Sequence, residues 1–402
     1  MSKPKILFIQ DDAEVLGGTK TLISRLAKQL IEQDFEVSIL FKSSDANTSV
    51  LSIFPKGCKL KFISVEAQRK VLYPYNIKEH IPKLDSEYHA IISLSFDGYY
   101  FSKVLGQFYN IKGPKYWYVV NPEVYIDDPL TTKAKRMLMK GDNENNFIFM
   151  NKECSYQFSD VFEHKIVPLP VSMRKETNPN NHSYTIVSIG RICSLMKTYN
   201  WSLIPVIIKL KEKFPNLVWY IYGDGGSEDV EDLKKTIMSN DCGGFIKYMG
   251  KVEYNDMERV LDGKSMFIGM GTSAVEAAST GIPTIVPIAF EKKPVSYGFL
   301  HELPAGNVGE KSLGLKVQNI SSLINKVFEF NENEFILLSE KTKKSALQFK
   351  DDVVFNKFLL AISDGSADKP SSQIDKFEHY LLFLMARVFR VTKRLVIRKI
   401  RD

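Results

Sequence analysis

Short apolar runs alternate with stretches of helical period along the chain, and the alternation starts twice. Lys5–Gln10 is the first apolar run. After a polar loop and Gly17-Gly18-Thr19, the residues Leu22, Ile23, Leu26, Ala27, Leu30 and Ile31 recur at helical spacing, and Phe35–Phe41 follows as a second run. The opening therefore reads as a βαβ unit. Leu60–Val65, Ala90–Leu94, Tyr116–Val120 and Phe147–Met150 read as further strands of one sheet, and Ile166–Pro170 closes this half. The polar stretch Glu176–Ser183 has no period and reads as a linker. The pattern then restarts, with strands at Thr185–Ile189, Leu217–Tyr222, Phe245–Tyr248, Met266–Ile268 and Thr284–Ile288. Helices are predicted at Trp201–Phe214, Glu228–Ser239, Asp256–Leu261, Ile320–Phe328 and Glu334–Leu347. Two successive β/α halves predict two Rossmann-like domains, 1–175 and 184–350, facing across a cleft, with a closing helix at 351–363.

The strongest chemical signal lies between Ser265 and Pro287. There an apolar strand meets Gly269-Met270-Gly271, then a helix that Thr272 or Ser273 can cap, a stop at Thr280-Gly281 and a second apolar run. A helix start behind a glycine turn offers free N–H groups and the positive end of a dipole, which suits a phosphate. Glu276, about one turn in, can accept hydrogen bonds from sugar hydroxyls; a solvated glutamate on an ordinary crossover is the alternative. In the first half there is no GxGxxG, and the second strand ends in Phe41-Lys42 rather than an acid for a ribose, which excludes the dinucleotide reading. Polar residues beyond strand ends line the crevice of an open α/β sheet by default. Asp97, Asn121, Glu123 and the Asn151-Lys152 pair hold such places. For each of Asp97, Asn121 and Glu123, a loop residue satisfied by water or backbone is the favoured reading.

Composition narrows the class. The chain has 402 residues, 44% hydrophobic and 25% charged, enough for globular cores. Its four cysteines form no CxxC pair, which argues against zinc and for a reducing compartment. Lys5–Gln10 leaves no room for a signal peptide, and no apolar stretch approaches the ~20 residues of a spanning helix, so a cytoplasmic location is expected. The net charge of +7 is concentrated: after residue 375, eight basic residues face two acidic ones, a net +6. Nucleic-acid binders spread basic surface over the folded body, so nucleic acid is excluded as a partner. In 374–402, Phe377, Leu381, Leu384, Val388, Val391 and Leu395 form one apolar stripe beside Arg387, Arg390, Arg394, Arg398 and Arg401. After the polar spacer Asp364–Gln373, this predicts a basic amphipathic helix lying in the plane of an anionic membrane surface. Docking on the protein's own body or on a second subunit is the alternative.

The motifs taken together resemble the retaining glycosyltransferases of family 4. Gly17-Gly18-Thr19 is similar to that family's N-terminal glycine loop, Gly190-Arg191 with Lys197 to its Gly-Arg…Lys pair, and Tyr222-Gly223-Asp224-Gly225 to its strand-end Gly-Asp-Gly. Tyr248-Met249-Gly250 resembles its base-side glycine, and GTSAVEAASTGIPTIV its glutamate-bearing donor helix. The match runs in order from about residue 5 to about 362. The resemblance implies the GT-B fold and transfer of a sugar, with retention and without a metal, from a nucleotide-sugar to a glycan or lipid-linked acceptor. It implies hexosyl or deoxyhexosyl transfer in bacterial surface-polysaccharide or lipopolysaccharide assembly, at the inner face of the cell membrane. Gly18, Arg191, Lys197, Gly225, Met249, Gly271, Thr272, Ser273 and Glu276 would bind the donor, and Asn121 and Glu123 would hold the catalytic place. The acidic pairs Asp11-Asp12 and Asp127-Asp128 read as solvated loops rather than a metal motif. Two departures stand out: Ile268 replaces a glutamate eight positions before Glu276, and Asn121-Pro122-Glu123 replaces an N-domain histidine. A non-catalytic donor-binding subunit and a nucleotide-sugar 2-epimerase are the rival readings.

Overall fold

A computed structural model of the chain describes residues 3–14, 17–42, 46–63, 81–120, 144–155, 165–312 and 314–363. Asn121, Glu123, the Asp127-Asp128 pair and the basic segment 374–402 lie outside the described residues. The chain divides into two compact units: Met1–Met150 with Cys154–Val167 and Phe355–Asp402, and Asn151–Glu153 with Pro168–Val354.

The first unit is built on a six-stranded parallel sheet: β1 (Lys5–Gln10), β2 (Glu36–Phe41), β3 (Lys59–Phe62), β4 (Ala90–Ser93), β5 (Lys115–Val119) and β6 (Phe147–Phe149). Their spatial order is β3-β2-β1-β4-β5-β6, the Rossmann order. Strands β4 and β5 are buried along their whole length, which is why they read as unbroken apolar runs. The helix Phe96–Tyr109 has no clear apolar period and was not predicted. Its ends explain it: the Ser95 hydroxyl accepts the Gly98 N–H at 3.0 Å, and Asn110 stops it in the left-handed conformation. Asp97 falls in its first turn. Asp11 and Asp12 keep 44% and 43% of their side-chain surface exposed, as expected, and each is also ion-paired, with the largely buried Lys42 (2.6 Å) and Lys20 (2.8 Å).

The second unit carries β7 (Thr185–Ile189), β8 (Val218–Tyr222), β9 (Ile246–Gly250), β10 (Met266–Ile268), β11 (Thr284–Pro287), β12 (Val295–Phe299) and β13 (Gln318–Asn319). Their order is β13-β12-β11-β10-β7-β8-β9; β12 runs antiparallel to both its neighbours, β11 and β13, and the other pairings are parallel. The sequence pattern predicts neither β12 nor the edge strand β13. Behind the central strands the buried Trp219 indole N–H donates to Ser188 Oγ (3.0 Å), whose hydroxyl donates to the Ile268 carbonyl (2.6 Å). The predicted helix Trp201–Phe214 is two helices, Tyr199–Ser202 and Ile204–Lys213, because Pro205 starts a new helix rather than continuing one. The stretch Glu176–Ser183 is not a free linker. Its Thr177 and Asn180 amides bond Thr280 O and Lys264 O, and its buried Asn181 donates to Phe330 O at 2.8 Å.

In the first unit the buried Tyr116 hydroxyl donates to the Ile362 carbonyl at 2.6 Å, closing the end of the helix Asp351–Ser363 onto β5. Tyr116→Phe strands that carbonyl and is expected to cost about 1 to 2 kcal/mol in denaturant unfolding of this unit. An unchanged midpoint would show that the closing helix is held by apolar packing alone.

Candidate functional site

The site residues that the structure brings together lie at the carboxyl ends of β7, β8 and β10. The loop leaving β7 is pressed against the loop leaving β8: Gly190 N–H bonds Tyr222 O (3.0 Å) and Ile192 N–H bonds Asp224 O (2.9 Å). A Cβ on Gly223 would stand 1.9 Å from Gly190 O, and one on Gly225 2.1 Å from Ile192 O. Neither position admits a side chain. Gly225, expected beside a ligand, is thus placed against Ile192 and serves the approach of the two backbones.

That approach positions Lys197. Its side chain folds back so that Nζ would lie 2.4 Å from a Cβ on Gly190, a spot only 3.6 Å from Ser273 Oγ. Lys197 is 7% exposed. Burial, followed by the Arg191 guanidinium, pushes its ammonium down to about 8, while Cys193 pulls the other way. Arg191 itself is exposed. The loop holding Lys197 is tied down at both residues that flank it: Phe290 N–H donates to Met196 O (2.9 Å), and the Thr198 hydroxyl donates to Glu291 O (2.5 Å). Phe290 takes a positive φ of 62° to do this, a conformation costly for an aromatic residue.

The helix Thr272–Ser279 starts beside this amine. Its N-cap is Gly271 at φ 76°, and no side chain caps it. Ser273, one of the two expected caps, donates its hydroxyl to Ile189 O (2.7 Å) and so fastens the helix start to β7. The first amides of the helix, those of Thr272 and Ser273, have no intrahelical acceptor. Glycine backbone, a buried ammonium and a helix N-terminus therefore converge on one spot.

Glu276 is neither solvated nor loose. It is 5% exposed, and its carboxylate lies 3.5 Å from the Arg174 guanidinium, which reaches Glu258 at the same distance. The Arg174 amide donates to Ser279 Oγ at 3.0 Å. Arg174 escaped the sequence reading because a single arginine after a closing strand carries no periodic signal. Met249 is 47% exposed beside Gly250 at φ 75°, whose carbonyl accepts the Gly223 N–H. In the first unit Gly18 opens the helix Gly18–Glu32, and a Cβ on it would meet no atom within 4 Å. Ile268 is fully buried in β10. Among the described residues, no group of three or more His, Cys, Asp or Glu side chains is arranged to hold a metal ion.

Comparison with solved structures decides the architecture. Anabaena HepE, solved with UDP and glucose, superposes with a TM-score of 0.62 over 90% of this chain and 99% of its own, at 14% identity. S. aureus TarM, solved with UDP among other ligands, gives 0.62 over 90% of this chain and 100% of its own, at 11% identity. The fold is GT-B. The pneumococcal O-GlcNAc transferase GtfA, solved with UDP and GlcNAc, shares this GT-B architecture at a TM-score of 0.56 and 10% identity, over 90% of this chain and 99% of its own. In sequence, the GtfA subunit of UDP-N-acetylglucosamine–peptide N-acetylglucosaminyltransferase from Streptococcus pneumoniae is 26% identical over 144 residues, and that from Streptococcus agalactiae 29% over 116. Those stretches span 34% and 28% of this chain, and only 28% and 22% of the relatives. No family model matches the chain.

Glu276→Gln removes the charge opposite a buried guanidinium. Breaking a buried pair costs about 3 kcal/mol, so a clear fall in melting temperature of the free protein is expected. A variant as stable as wild type would mean that Glu258 alone satisfies Arg174.

Proposed function

We propose that the chain is a retaining glycosyltransferase of the family-4 type, transferring a hexosyl or deoxyhexosyl group from a nucleotide-sugar to a glycan acceptor. The observation that carries this reading is the buried Lys197 ammonium between Gly190 and the start of the Thr272 helix. A buried cation without a counter-charge is costly, and a diphosphate supplies that charge. The bond that breaks leaves a nucleoside diphosphate, so negative charge grows on the β-phosphate oxygens as the sugar departs. Lys197, Arg191 and the amides of Thr272 and Ser273 are aimed where that charge develops, and they would stabilise it without a metal. UDP is the first nucleotide to test, because HepE, TarM and GtfA were each solved with it. Glu276, fixed by Arg174, would accept hydrogen bonds from the ribose hydroxyls, and the Met249-Gly250 backbone would meet the base. A second reading, a donor-binding subunit without transfer activity, rests on Ile268, which offers no carboxylate to the sugar.

Calorimetry with UDP tests the donor site. Lys197→Met is expected to weaken UDP at least tenfold at pH 7, since a charge-assisted contact is worth about 1.5 to 3 kcal/mol, while leaving the fold intact. The sign of the pH dependence follows from the amine: the charged form binds, and it titrates near 8 in the free protein. Above pH 8 the wild-type Kd should therefore rise, approaching tenfold per pH unit, with a proton taken up on binding. A Kd flat from pH 7 to 9.5 would remove Lys197 from the site. Release of UDP from a UDP-sugar in the presence of acceptor, unaffected by EDTA, separates the transferase from the subunit reading.

The acceptor is proposed to be lipid-linked, as in surface-polysaccharide assembly, with the protein held at the inner membrane face by 374–402. Basic side chains contribute about 1 kcal/mol each at an anionic surface. Removing residues 374–402 should abolish co-sedimentation with phosphatidylglycerol vesicles and leave UDP affinity unchanged. Retained vesicle binding would reject the anchor.

A further inference from the structure

Ile268 leaves the sugar end of the proposed donor site without its expected carboxylate. The structure holds another carboxylate nearby. After β12 the chain returns as Gly306–Glu310 across the ends of β10 and β11. There Val308 O accepts the Gly271 N–H and Gly309 O accepts the Ala289 N–H, each at 2.8 Å. A Cβ on Gly309, at φ 128°, would stand 2.8 Å from Met270 Cε and 3.0 Å from Pro287 O, so the segment lies directly on the turn that leads into the Thr272 helix. It is also internally braced. Asn307 Oδ1 accepts the Gly309 N–H (2.9 Å), and its amide donates to Glu310 O (3.1 Å).

Glu310 curls back so that Oε2 accepts the Val308 N–H at 2.8 Å. Its carboxyl is therefore two hydrogen bonds from Gly271, the N-cap of the phosphate-binding helix start. Behind it stand Asn151, whose amide donates to Gly306 O (3.4 Å), and Glu153, both fully buried. Neither carboxylate oxygen of Glu153 has a hydrogen-bond partner. Burial, with the Glu153 charge added and Val308 and Asn151 opposing, pushes the Glu310 carboxyl up to about 7. A fold gains nothing from a fully buried, unbonded carboxyl group beside a second, half-buried one. A ligand rich in hydroxyl groups does: a carboxyl poised between its two forms can both accept from and donate to a sugar.

We propose that Glu310, braced by the Gly306–Glu310 segment and backed by Asn151 and Glu153, is the residue that holds the hydroxyl groups of the transferred sugar and sets which sugar is accepted. It stands in for the carboxylate missing at Ile268. The assignment rests on the nucleotide-sugar reading above and deepens it.

The test compares UDP with UDP-glucose, UDP-galactose and UDP-N-acetylglucosamine by calorimetry on full-length wild type, Glu310→Gln and Glu310→Asp. Wild type should bind at least one UDP-sugar tenfold or more tighter than UDP. Both variants should keep the UDP affinity within about twofold and lose that sugar-dependent gain. Gln can still accept the Val308 N–H, and Asp keeps the charge while withdrawing the carboxylate by one methylene. A purely structural role would therefore spare at least one of them. Unchanged sugar-dependent gain in both variants, with normal UDP binding, overturns the assignment and leaves the donor site standing. Failure of wild type to bind UDP overturns the UDP-donor reading, and this assignment with it.

Discussion

The enclosure of one ammonium group is the constraint on which the second unit turns. Lys197 lies over Gly190, and it can do so because the Gly190 and Gly223 loops touch backbone to backbone. A side chain at Gly223 or Gly225 would force those loops apart and open the amine to water. Desolvation already lowers the affinity of that amine for its proton. The free protein thus holds a cation at a cost, in a place where the helix start at Thr272 adds further positive potential. An anion relieves both at once.

The polarity of the proposed donor site matches the polarity of a nucleotide-sugar. Arg191, Lys197 and two amides gather on the side of the Thr272 helix start. Glu310 and Glu153 gather across the turn at Met270-Gly271. A diphosphate is anionic, and the sugar attached to it is neutral and rich in hydroxyl groups. A site that is cationic at one end and carboxylic at the other orients such a molecule before any shape is considered. Arg174 extends the pattern, since it keeps the Glu276 carboxylate in place although that group is almost wholly out of water.

The sequence showed the frame far more clearly than the chemistry. Strands such as β4, β5 and β10 are buried on both faces, so nothing interrupts their apolar runs. β12 was lost because Ser296 and Gly298 break its run; the Ser296 hydroxyl is satisfied by the Val286 and Gly298 carbonyls. The helix after Asn331 begins earlier than its apolar period, at Glu332, because Asn331 and Glu334 cap each other at 3.0 Å. Lys197 and Ser273 could be named from local motifs, since both stand within a few residues of a glycine turn. Glu310, Glu153 and Arg174 could not, because each gains its meaning from a partner distant in the chain. Ser273, expected as a possible cap, donates its hydroxyl to the Ile189 carbonyl and leaves the helix start uncapped by any side chain.

The bonds from Phe290 and Thr198 have one more effect. They fix the segment Met196–Thr198, which carries the amine of the proposed phosphate site, to Phe290 and Glu291. A phosphate loop that is disordered when empty must lose chain entropy as its ligand arrives, and that loss is subtracted from affinity. Here the loss is incurred during folding, when Phe290 accepts its unfavourable backbone angle. Association should consequently be fast and free of a slow loop-closing phase, and the heat of binding should report contacts rather than ordering.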